Sequence, residues 1–477
     1  MRTELYIAGA YGPAASGRRF PVVNPATEDL LAEVAEGDAA DVDRAVAAAR
    51  GCFESDGWRT LAARDRGALL AGAADLLAQR ADEFARLETL QNGKPLFESQ
   101  IDVAMTVETF RYYAGWADKI TGATLPVSGE FFAYTLKEPV GVVGAIVPWN
   151  FPLNLASWKL APALAAGCTV VLKPAEETPL TALLLAEVLE AAGFPAGAVN
   201  VVAGDGPTAG AALVRHPGVD KIAFTGSTEV GRLVQREAAA TLKRVTLELG
   251  GKSANIVFAD ADIPAAVKGA QAAIFYGKGE VCAAGSRLLV ERSVHDRVVE
   301  ELAARARKLV PGDPVAKGTR LGALVSRRQH ERVLRYIAQG KAEGATAVAG
   351  GNAATVNGKG YFVEATVFGG VTPEMTIARE EIFGPVLAVL PFDGVDEAVA
   401  LANRSEYGLA AGVWTQDVRK AGRVARAVRA GTVWVNTYNV YDSAAPFGGY
   451  KASGFGRDLG REALDGYLET KTVWVAL

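Results

Sequence analysis

Cysteine and histidine are both scarce in this chain of 477 residues, which has three of each. The three cysteines are Cys52, Cys168 and Cys282. An odd number of cysteines with no CxxC pair indicates neither a disulfide framework nor a zinc site, so we expect no bound metal. None of the histidines lies in a glycine-rich or polar motif, so a mechanism with histidine as the base is not expected.

Long apolar runs and runs of like charge are also missing. The N-terminus, MRTELYIAGAYG, has no basic segment followed by an apolar core, so it does not resemble a secretory signal. The longest nearly apolar runs, around Val140–Trp149 and Ala161–Leu172, are shorter than the roughly 18 residues that a membrane span needs. With 50 basic and 54 acidic residues, nucleic acid and anionic membranes are not expected as general partners. We therefore expect a cytoplasmic protein.

The chain does contain an alternation of short β-branched runs with helical stretches rich in alanine and leucine. Nearly continuous apolar strands separated by helices predict an α/β protein with a parallel sheet covered on both faces. A second alternation follows, with strands near Arg287–Glu291, Val386–Phe392 and Gly431–Val435. The strands predicted in the first unit are Val142–Val147, Thr169–Leu172, Ala198–Val202, Lys221–Phe224, Val245–Leu249 and Asn255–Phe258.

Two further segments predict strands outside these units. Thr121–Pro139 has turn residues around alternating side chains, which is typical of a projecting hairpin, and Glu469–Leu477 is strand-like. Exposed edge strands favour association with another chain, so we expect a homodimer or homotetramer; a folded-back pair within one chain is the alternative. Loops are predicted at Val310–Arg320 and Gly350–Gly360, because both are rich in glycine, proline and polar residues.

Cys282 stands among small residues in the segment GEVCAAGSR. Small neighbours and a glycine-bearing turn would give a sulfur nucleophile access to its substrate and room for a tetrahedral centre. A thiol has a reference pKa of about 8.5, so it would need an activating environment. A buried small hydrophobic residue is an equal alternative, since free cysteine is among the most buried residue types. Cys52 and Cys168 favour that second interpretation because they lie in apolar or helical sequence.

Glu248 and Asn150 each lie at or just beyond the end of an apolar strand. Partial burial of Glu248, in VTLELGGKS, would raise the pKa of its carboxyl group toward the range of a general base; a salt-bridged carboxylate is the alternative. Asn150, in PWNFP, lies between two prolines, where its amide would either donate to a developing oxyanion or cap its own backbone. The carboxyl ends of strands are where α/β sheets place ligands, which favours the functional interpretation of both.

The segment FTGSTEVG predicts a strand that ends at Phe224 and a helix that begins near Ser227 or Thr228. The free N–H groups and positive dipole end of a helix suit a pyrophosphate. The glycine spacing is not G-x-G-x-x-G, however, and a helix cap without a ligand is the alternative.

Seven motifs, in their order along the chain, resemble those of the aldehyde dehydrogenase superfamily: PWNFP, LKPAEETPL, FTGSTEVGR, LELGGKS, GEVCAAGSR, EEIFGPV and PFGGYKASGFGR. The segment RYYAGWADK resembles the general aldehyde/retinal dehydrogenase branch. The resemblance implies NAD-dependent oxidation of an aldehyde to a carboxylic acid. It also implies a Rossmann-type parallel-sheet cofactor domain (1–118 and 139–250), a second α/β catalytic domain (251–450) and a β oligomerisation arm (119–138 and 464–477).

By the same resemblance, Cys282 would be the nucleophile, Glu248 the base that activates water, and Asn150 with the Cys282 backbone N–H the oxyanion hole. NAD would be preferred over NADP, because the Glu176 carboxylate, which with Lys173 would hold the adenosine ribose, repels a 2′-phosphate. The implied cofactor-binding residues are Ile146, Val147, Pro148, Trp149, Lys173, Glu176, Gly206, Phe224, Gly226, Ser227, Val230, Gly231, Leu249, Glu381 and Phe383.

The substrate pocket implied by the resemblance is mostly aromatic, which favours an apolar or aromatic aldehyde. Aromatic groups also bind quaternary ammonium, so a betaine or amino-aldehyde dehydrogenase is one alternative. A CoA-acylating semialdehyde dehydrogenase is another, although such relatives usually lack a carboxylate at the Glu248 position. The candidate pocket residues are Met105, Phe151, Trp158, Tyr441 and Phe447.

Two departures from the family pattern lie close to the nucleophile. Glu280 stands where the family often has glutamine, and Gly277–Lys278 replaces a more usual run that contains asparagine. An ionised Glu280 carboxylate would oppose formation of the Cys282 thiolate unless its side chain points away.

Overall fold

Strands and helices alternate along most of the computed structural model, which describes residues 1–477. None of the helices has the length and apolar character that a membrane crossing requires. The strands, in chain order, are β1 (Leu5–Ile7), β2 (Ala10–Gly12), β3 (Arg19–Val23), β4 (Leu30–Ala35), β5 (Thr124–Leu125), β6 (Phe131–Pro139), β7 (Val142–Ile146), β8 (Thr169–Lys173), β9 (Val199–Val201), β10 (Lys221–Thr225), β11 (Arg244–Glu248), β12 (Ala254–Val257), β13 (Arg287–Glu291), β14 (Thr346–Ala349), β15 (Ala353–Val356), β16 (Lys359–Val363), β17 (Thr366–Gly369), β18 (Val386–Phe392), β19 (Tyr407–Gly408), β20 (Ala410–Trp414), β21 (Thr432–Val435), β22 (Tyr450–Lys451), β23 (Gly454–Phe455) and β24 (Leu468–Ala476). The α-helices are α1 (Ala39–Glu54), α2 (Asp56–Arg59), α3 (Ala63–Gln79), α4 (Ala81–Asn92), α5 (Leu96–Ala114), α6 (Pro152–Ala166), α7 (Leu180–Ala191), α8 (Ala211–Arg215), α9 (Thr228–Ala238), α10 (Ile263–Phe275), α11 (His295–Ala306), α12 (Arg327–Ala342), α13 (Thr376–Arg379), α14 (Gly394–Asn403), α15 (Val418–Ala427) and α16 (Glu462–Asp465).

The first sheet has the strand order β2-β1-β9-β8-β7-β10-β11-β23, and its strands from β9 to β11 are parallel. The strands β7, β8 and β10 are buried along their whole length, as their uninterrupted apolar sequences predict. The predicted α/β class with a parallel sheet is therefore confirmed. The chain runs from β7 to β8 and β9 on one side and then returns to β10 and β11 on the other. Sheets of this kind bind ligands at the carboxyl ends of the strands, at the point where the order reverses.

The second sheet has the order β14-β17-β18-β13-β12-β20-β21 and is parallel from β17 to β21. A separate core of 25 buried residues lies against it. The boundary of our proposed domain division between residues 250 and 251 falls between β11 of the first sheet and β12 of the second, which supports the proposal.

The predicted loop Gly350–Gly360 is wrong, because β15 and β16 form an antiparallel hairpin there. Its two-residue turn consists of Asn357 and Gly358, with φ of 54° and 76°. An Asn-Gly pair is the strongest short signal for such a turn, since both positions need positive φ. The other predicted loop, Val310–Arg320, contains no helix or strand.

The two strands predicted outside the α/β units pair with each other. β24 runs antiparallel to β6 from Leu468 opposite Pro139 to Ala476 opposite Phe131, and β5 pairs with the other edge of β6. These two strands are thus paired within one chain, while β24 and β5 remain the edge strands of the sheet. Large apolar side chains of this three-stranded sheet remain exposed: Phe131, Phe132, Leu136, Trp474 and Val475.

Candidate active site

The carboxyl ends of four parallel strands bring predicted site residues side by side. Lys173 on β8 is the register partner of Ile146 on β7, which is also the partner of Phe224 on β10. Phe224 pairs in turn with Leu247 on β11, so Glu248 lies next along the same edge. Predicted residues far apart in the sequence therefore form one row. The segment Val147–Asn150 continues from the end of β7 at this edge.

Helix α9 begins at the same edge, as predicted. Ser227 is its N-cap, and the Ser227 hydroxyl accepts a hydrogen bond from the Val230 N–H at 3.3 Å. Gly231 lies against the buried side chain of Leu249, while Val230 is exposed. The Gly226 N–H donates to the Glu248 carbonyl at 3.0 Å, which ties this turn to β11. An exposed helix start with free N–H groups fits an anionic pyrophosphate.

The residues that the resemblance gives to the adenosine end lie at β8 and beyond. The buried Lys173 Nζ lies 3.3 Å from the Glu176 carboxylate, which is partly exposed. Gly206 is exposed at the start of a π-helical turn that Asp205 caps through the Thr208 N–H at 2.7 Å. A partly exposed carboxylate beside a lysine fits the hydroxyl groups of a ribose.

Glu381 and Phe383 lie on the segment that leads into β18. The Gly251 N–H donates to Glu381 Oε1 at 2.9 Å, and burial raises the pKa of this carboxyl group to about 7. Phe383 has a φ of 62°, which a phenylalanine rarely adopts, and its carbonyl accepts from Gln329 Nε2 at 2.6 Å. Its ring packs edge-on against Trp149 with the centroids 5.2 Å apart. Such strain persists where surrounding contacts impose it, which is typical of functional sites.

A cavity of about 300 Å³ opens onto Cys282. All five residues predicted for the substrate pocket line it. Its lining is predominantly apolar and aromatic, and the carboxylate of Asp102, one of the lining residues, is paired with Lys94 at 2.6 Å. The sequence reasoning missed the other lining residues, namely Ile101, Asp102, Asn154, Leu155, Ala272, Tyr276, Val281, Tyr438 and Asn439.

Cys282 is partly exposed to this cavity, in the turn that precedes β13. Burial raises the pKa of its thiol to about 12, and the negative charges of Glu381 and Glu248 act in the same direction. The backbone N–H groups of Ala283 and of Cys282 itself partly oppose that shift. The sulfur is therefore protonated near neutral pH until a group in the site accepts its proton.

Glu248 is 4% exposed, and neither carboxylate oxygen has a hydrogen-bond partner in the chain. Burial raises the pKa of this group well above its usual value, and the charge of Asp458 raises it further, while Lys159 and Arg457 lower it. Lys159 and Asp458 form a buried ion pair that the sequence reasoning missed. A buried carboxylate without partners is free to accept a proton from water or from a thiol.

Asn150 is buried beside the turn that carries the cysteine. Its amide Nδ2 donates to the Glu280 carbonyl at 3.0 Å, two residues before Cys282. That bond uses one of the two amide hydrogens and leaves the second for another acceptor. The predicted alternative, a side chain that caps its own backbone, does not occur.

The Glu280 carboxylate is held by contacts with Val325 and Lys278. Its Oε1 accepts from the Val325 N–H at 3.1 Å, and its Oε2 lies 2.8 Å from Lys278 Nζ. The carboxylates that raise the thiol pKa of Cys282 are those of Glu381 and Glu248 instead. The departure from the family pattern is thus compensated by the neighbouring departure at Lys278.

Comparison with known proteins gives one consistent result. A sequence model described as the aldehyde dehydrogenase family matches residues 11–473. The mitochondrial aldehyde dehydrogenase of Sus scrofa is 52% identical over 475 residues, covering 99% of this chain and 91% of that protein. The NAD+ complex structure of an aldehyde dehydrogenase from Bacillus cereus superposes with a TM-score of 0.99 at 52% identity, covering 100% of this chain and 97% of the other. A P. syringae indole-3-acetaldehyde dehydrogenase in complex with NAD+ and IAA gives 0.98 at 48% identity, covering 99% and 96%.

Proposed function

This chain belongs to the aldehyde dehydrogenase family and oxidises an aldehyde to a carboxylic acid with NAD, and we propose that it is a hydrolytic, cytoplasmic enzyme for apolar and aromatic aldehydes in general. Cys282 is its nucleophile, Glu248 its base and Asn150 its oxyanion donor. The observation that carries this proposal is Glu248, a buried carboxylate without partners whose charge acts on the Cys282 thiol.

The mechanism begins when the Cys282 sulfur bonds to the aldehyde carbon and the thiol proton passes to a base. The carbonyl oxygen becomes an oxyanion that the Asn150 amide and the Cys282 backbone N–H stabilise. Bound NAD supplies the hydride acceptor, so the tetrahedral adduct becomes a thioester. Glu248 then takes a proton from a water molecule as the water oxygen attacks the thioester carbon. Protonated Glu248 returns this proton to the sulfur as the C–S bond breaks, so the acid leaves and the Cys282 thiol is restored.

The cofactor residues support NAD through the start of α9 for the pyrophosphate, Lys173 and Glu176 for the adenosine ribose, and Glu381 with Phe383 for the nicotinamide end.

Two alternatives differ in the acyl acceptor and in the substrate. A CoA-acylating enzyme has no need of a base for water, which the buried Glu248 would provide. A betaine aldehyde dehydrogenase binds a cation, and the one carboxylate at the cavity, Asp102, is already paired with Lys94.

A panel of aldehydes ranked by kcat/KM tests this function. We expect phenylacetaldehyde and hexanal to exceed betaine aldehyde and succinic semialdehyde at least about tenfold, since each methylene in an apolar pocket contributes about 0.8 kcal/mol. The product without CoA should be the free acid, detected by mass spectrometry. Preference for betaine aldehyde, or a requirement for CoA, would contradict the proposal.

Cofactor preference depends on Glu176. The wild type is expected to prefer NAD, because a 2′-phosphate would stand against the Glu176 carboxylate; Lys173 at 3.3 Å offsets only part of that repulsion. Glu176→Gln should narrow the NAD to NADP ratio of kcat/KM by raising the value for NADP. Glu237→Gln, a change at a partly exposed residue near the C-terminal end of α9, is the control. An unchanged ratio in Glu176→Gln assigns the discrimination elsewhere.

We also propose that the chain forms a homodimer or homotetramer through the sheet of β5, β6 and β24. Its exposed Phe131, Leu136 and Trp474 are 46%, 41% and 57% accessible, and burial of such side chains favours association. Light scattering at micromolar concentration measures the mass, and a monomer would contradict the proposal.

A further inference from the structure

We propose that Lys278 and Glu280 are positioning residues for aldehyde oxidation, because with Asn92 they close a buried ring of contacts that fixes the Asn150 amide beside Cys282. The inference rests on the role proposed above for Asn150 as donor to the oxyanion.

The ring can be followed contact by contact. Lys278 Nζ lies 2.8 Å from Glu280 Oε2 and donates to Asn92 Oδ1 at 2.7 Å and to the Asn92 carbonyl at 2.9 Å. Asn92 Nδ2 donates to the carbonyl of Trp149, the residue before Asn150, at 2.7 Å. Asn150 Nδ2 donates to the Glu280 carbonyl at 3.0 Å, which closes the ring. The Glu280 carbonyl therefore holds the Asn150 amide directly, and Lys278 holds Asn92, which in turn anchors the backbone just before Asn150.

The backbone of the turn depends on the same contacts. Gly277 and Lys278 have φ of 57° and 62°, in the left-handed region that a lysine rarely adopts. The Gly277 N–H donates to Glu98 Oε2 at 3.1 Å, and the Val325 N–H holds Glu280 Oε1 at 3.1 Å. Side-chain contacts thus impose a strained conformation just before the nucleophile, and its loss would displace the Glu280 carbonyl that orients Asn150.

The charges of the pair compensate each other in a buried setting. Lys278 and Glu280 are each 1% exposed, so removal of one charge leaves the other buried without its partner. Removal of both together avoids that penalty. Coupled behaviour of the two residues is therefore expected, and it provides the test.

The experiment compares Lys278→Gln, Glu280→Gln and the double variant. Each single substitution should lower kcat about 10- to 100-fold with the aldehyde KM within about threefold, since loss of an oxyanion donor costs about 10²–10³ and displacement costs less. The double variant should lose no more kcat than the worse of the two single variants, because both residues act through the same ring; losses that simply add would overturn the inference. Lys359→Gln, which breaks an exposed pair with Asp29 at 3.0 Å, is the matched control and should match the wild type.

Alkylation of Cys282 by iodoacetamide separates positioning from general damage. This displacement develops no oxyanion, so its rate and pH profile should be unchanged in the single variants while kcat falls. A parallel fall in alkylation would overturn the inference. Should a single variant fail to fold, Glu280→Asp, which keeps the charge and shortens the side chain, carries the same comparison.

An Asn150→Ala background completes the cycle. If the ring acts through Asn150, Lys278→Gln should cause no further loss of kcat in the Asn150→Ala background. Equal losses in both backgrounds would overturn the positioning role while leaving the proposed function intact. If Asn150→Ala itself keeps full kcat, the oxyanion role in the proposed function is what fails.

Discussion

Cys282→Ala is expected to abolish aldehyde oxidation, with NADH formation reduced by about 10⁴-fold or more. The reason is that no other residue of the cavity can replace the sulfur as nucleophile. The lining contains no second thiol, no serine or threonine hydroxyl and no amine, so the tyrosine hydroxyls are the remaining candidates. Burial raises the pKa of Tyr276 and Tyr441 well above the usual value, so these hydroxyls stay protonated. NADH absorbance with phenylacetaldehyde and NAD measures the rate.

The two other cysteines are the matched controls for this experiment. Cys52 on α1 and Cys168 before β8 are buried in the apolar core, and burial raises the pKa of each thiol to about 11. Cys52→Ala and Cys168→Ala remove a small buried side chain and should keep most of the activity, with a loss of stability only. Substantial oxidation by Cys282→Ala would exclude the covalent mechanism.

The features that the sequence predicted correctly are those that depend on local pattern. The strands β7, β8 and β10 were predicted because they are apolar along their length, and the start of α9 because Ser227 is a good N-cap. Because these strands are parallel neighbours, their register alone places Lys173, Ile146 and Phe224 side by side.

The features that the sequence did not predict depend on contacts between distant segments. Lys159 and Asp458, which face Glu248, are 299 residues apart, and nothing local marks either as a partner of the other. Lys278 and Glu280 were noted only as departures, because their pairing depends on a left-handed turn that a lysine rarely adopts. The hairpin turn at Asn357 did carry a local signal, and it was missed because its polar composition also suits a loop.

The pocket residues illustrate the same limit. Met105 and Trp158 were assigned to the pocket by the family resemblance, whereas Tyr276 and Tyr438 were not assigned and are brought to the cavity by the fold. The Tyr438 hydroxyl donates to the Ala283 carbonyl at 2.9 Å, so this residue also supports the turn of the nucleophile. Such double roles are visible only in three dimensions.

Glu248→Gln is expected to slow steady-state turnover by about 10²- to 10⁴-fold, the usual contribution of a general base. Both Glu248 oxygens lack partners in the chain, so a glutamine of nearly the same shape should fit without disturbing the fold. If Cys282 of the variant still forms the thioester, the acyl-enzyme should accumulate because its hydrolysis is slow. Rapid mixing should then show a burst of about one NADH per site before the slow steady-state phase. Glu237→Gln, at a partly exposed residue near the C-terminal end of α9, is the control and should keep the wild-type rate.

The pH dependence gives the same prediction its sharpest form. Burial first, and then the charge of Asp458, raise the pKa of Glu248 well above that of an ordinary carboxyl group. The base acts only when it is deprotonated, so the wild-type deacylation rate should be full above this raised pKa and fall as the pH is lowered through it. The rate should therefore begin to fall at a higher pH than it would for a base with the pKa of a free glutamate, which is about 4.3. Glu248→Gln has no such group, so its slow rate should lose this acid limb. A near-normal rate at neutral pH, or an acid limb that survives the substitution, would assign the base to another residue.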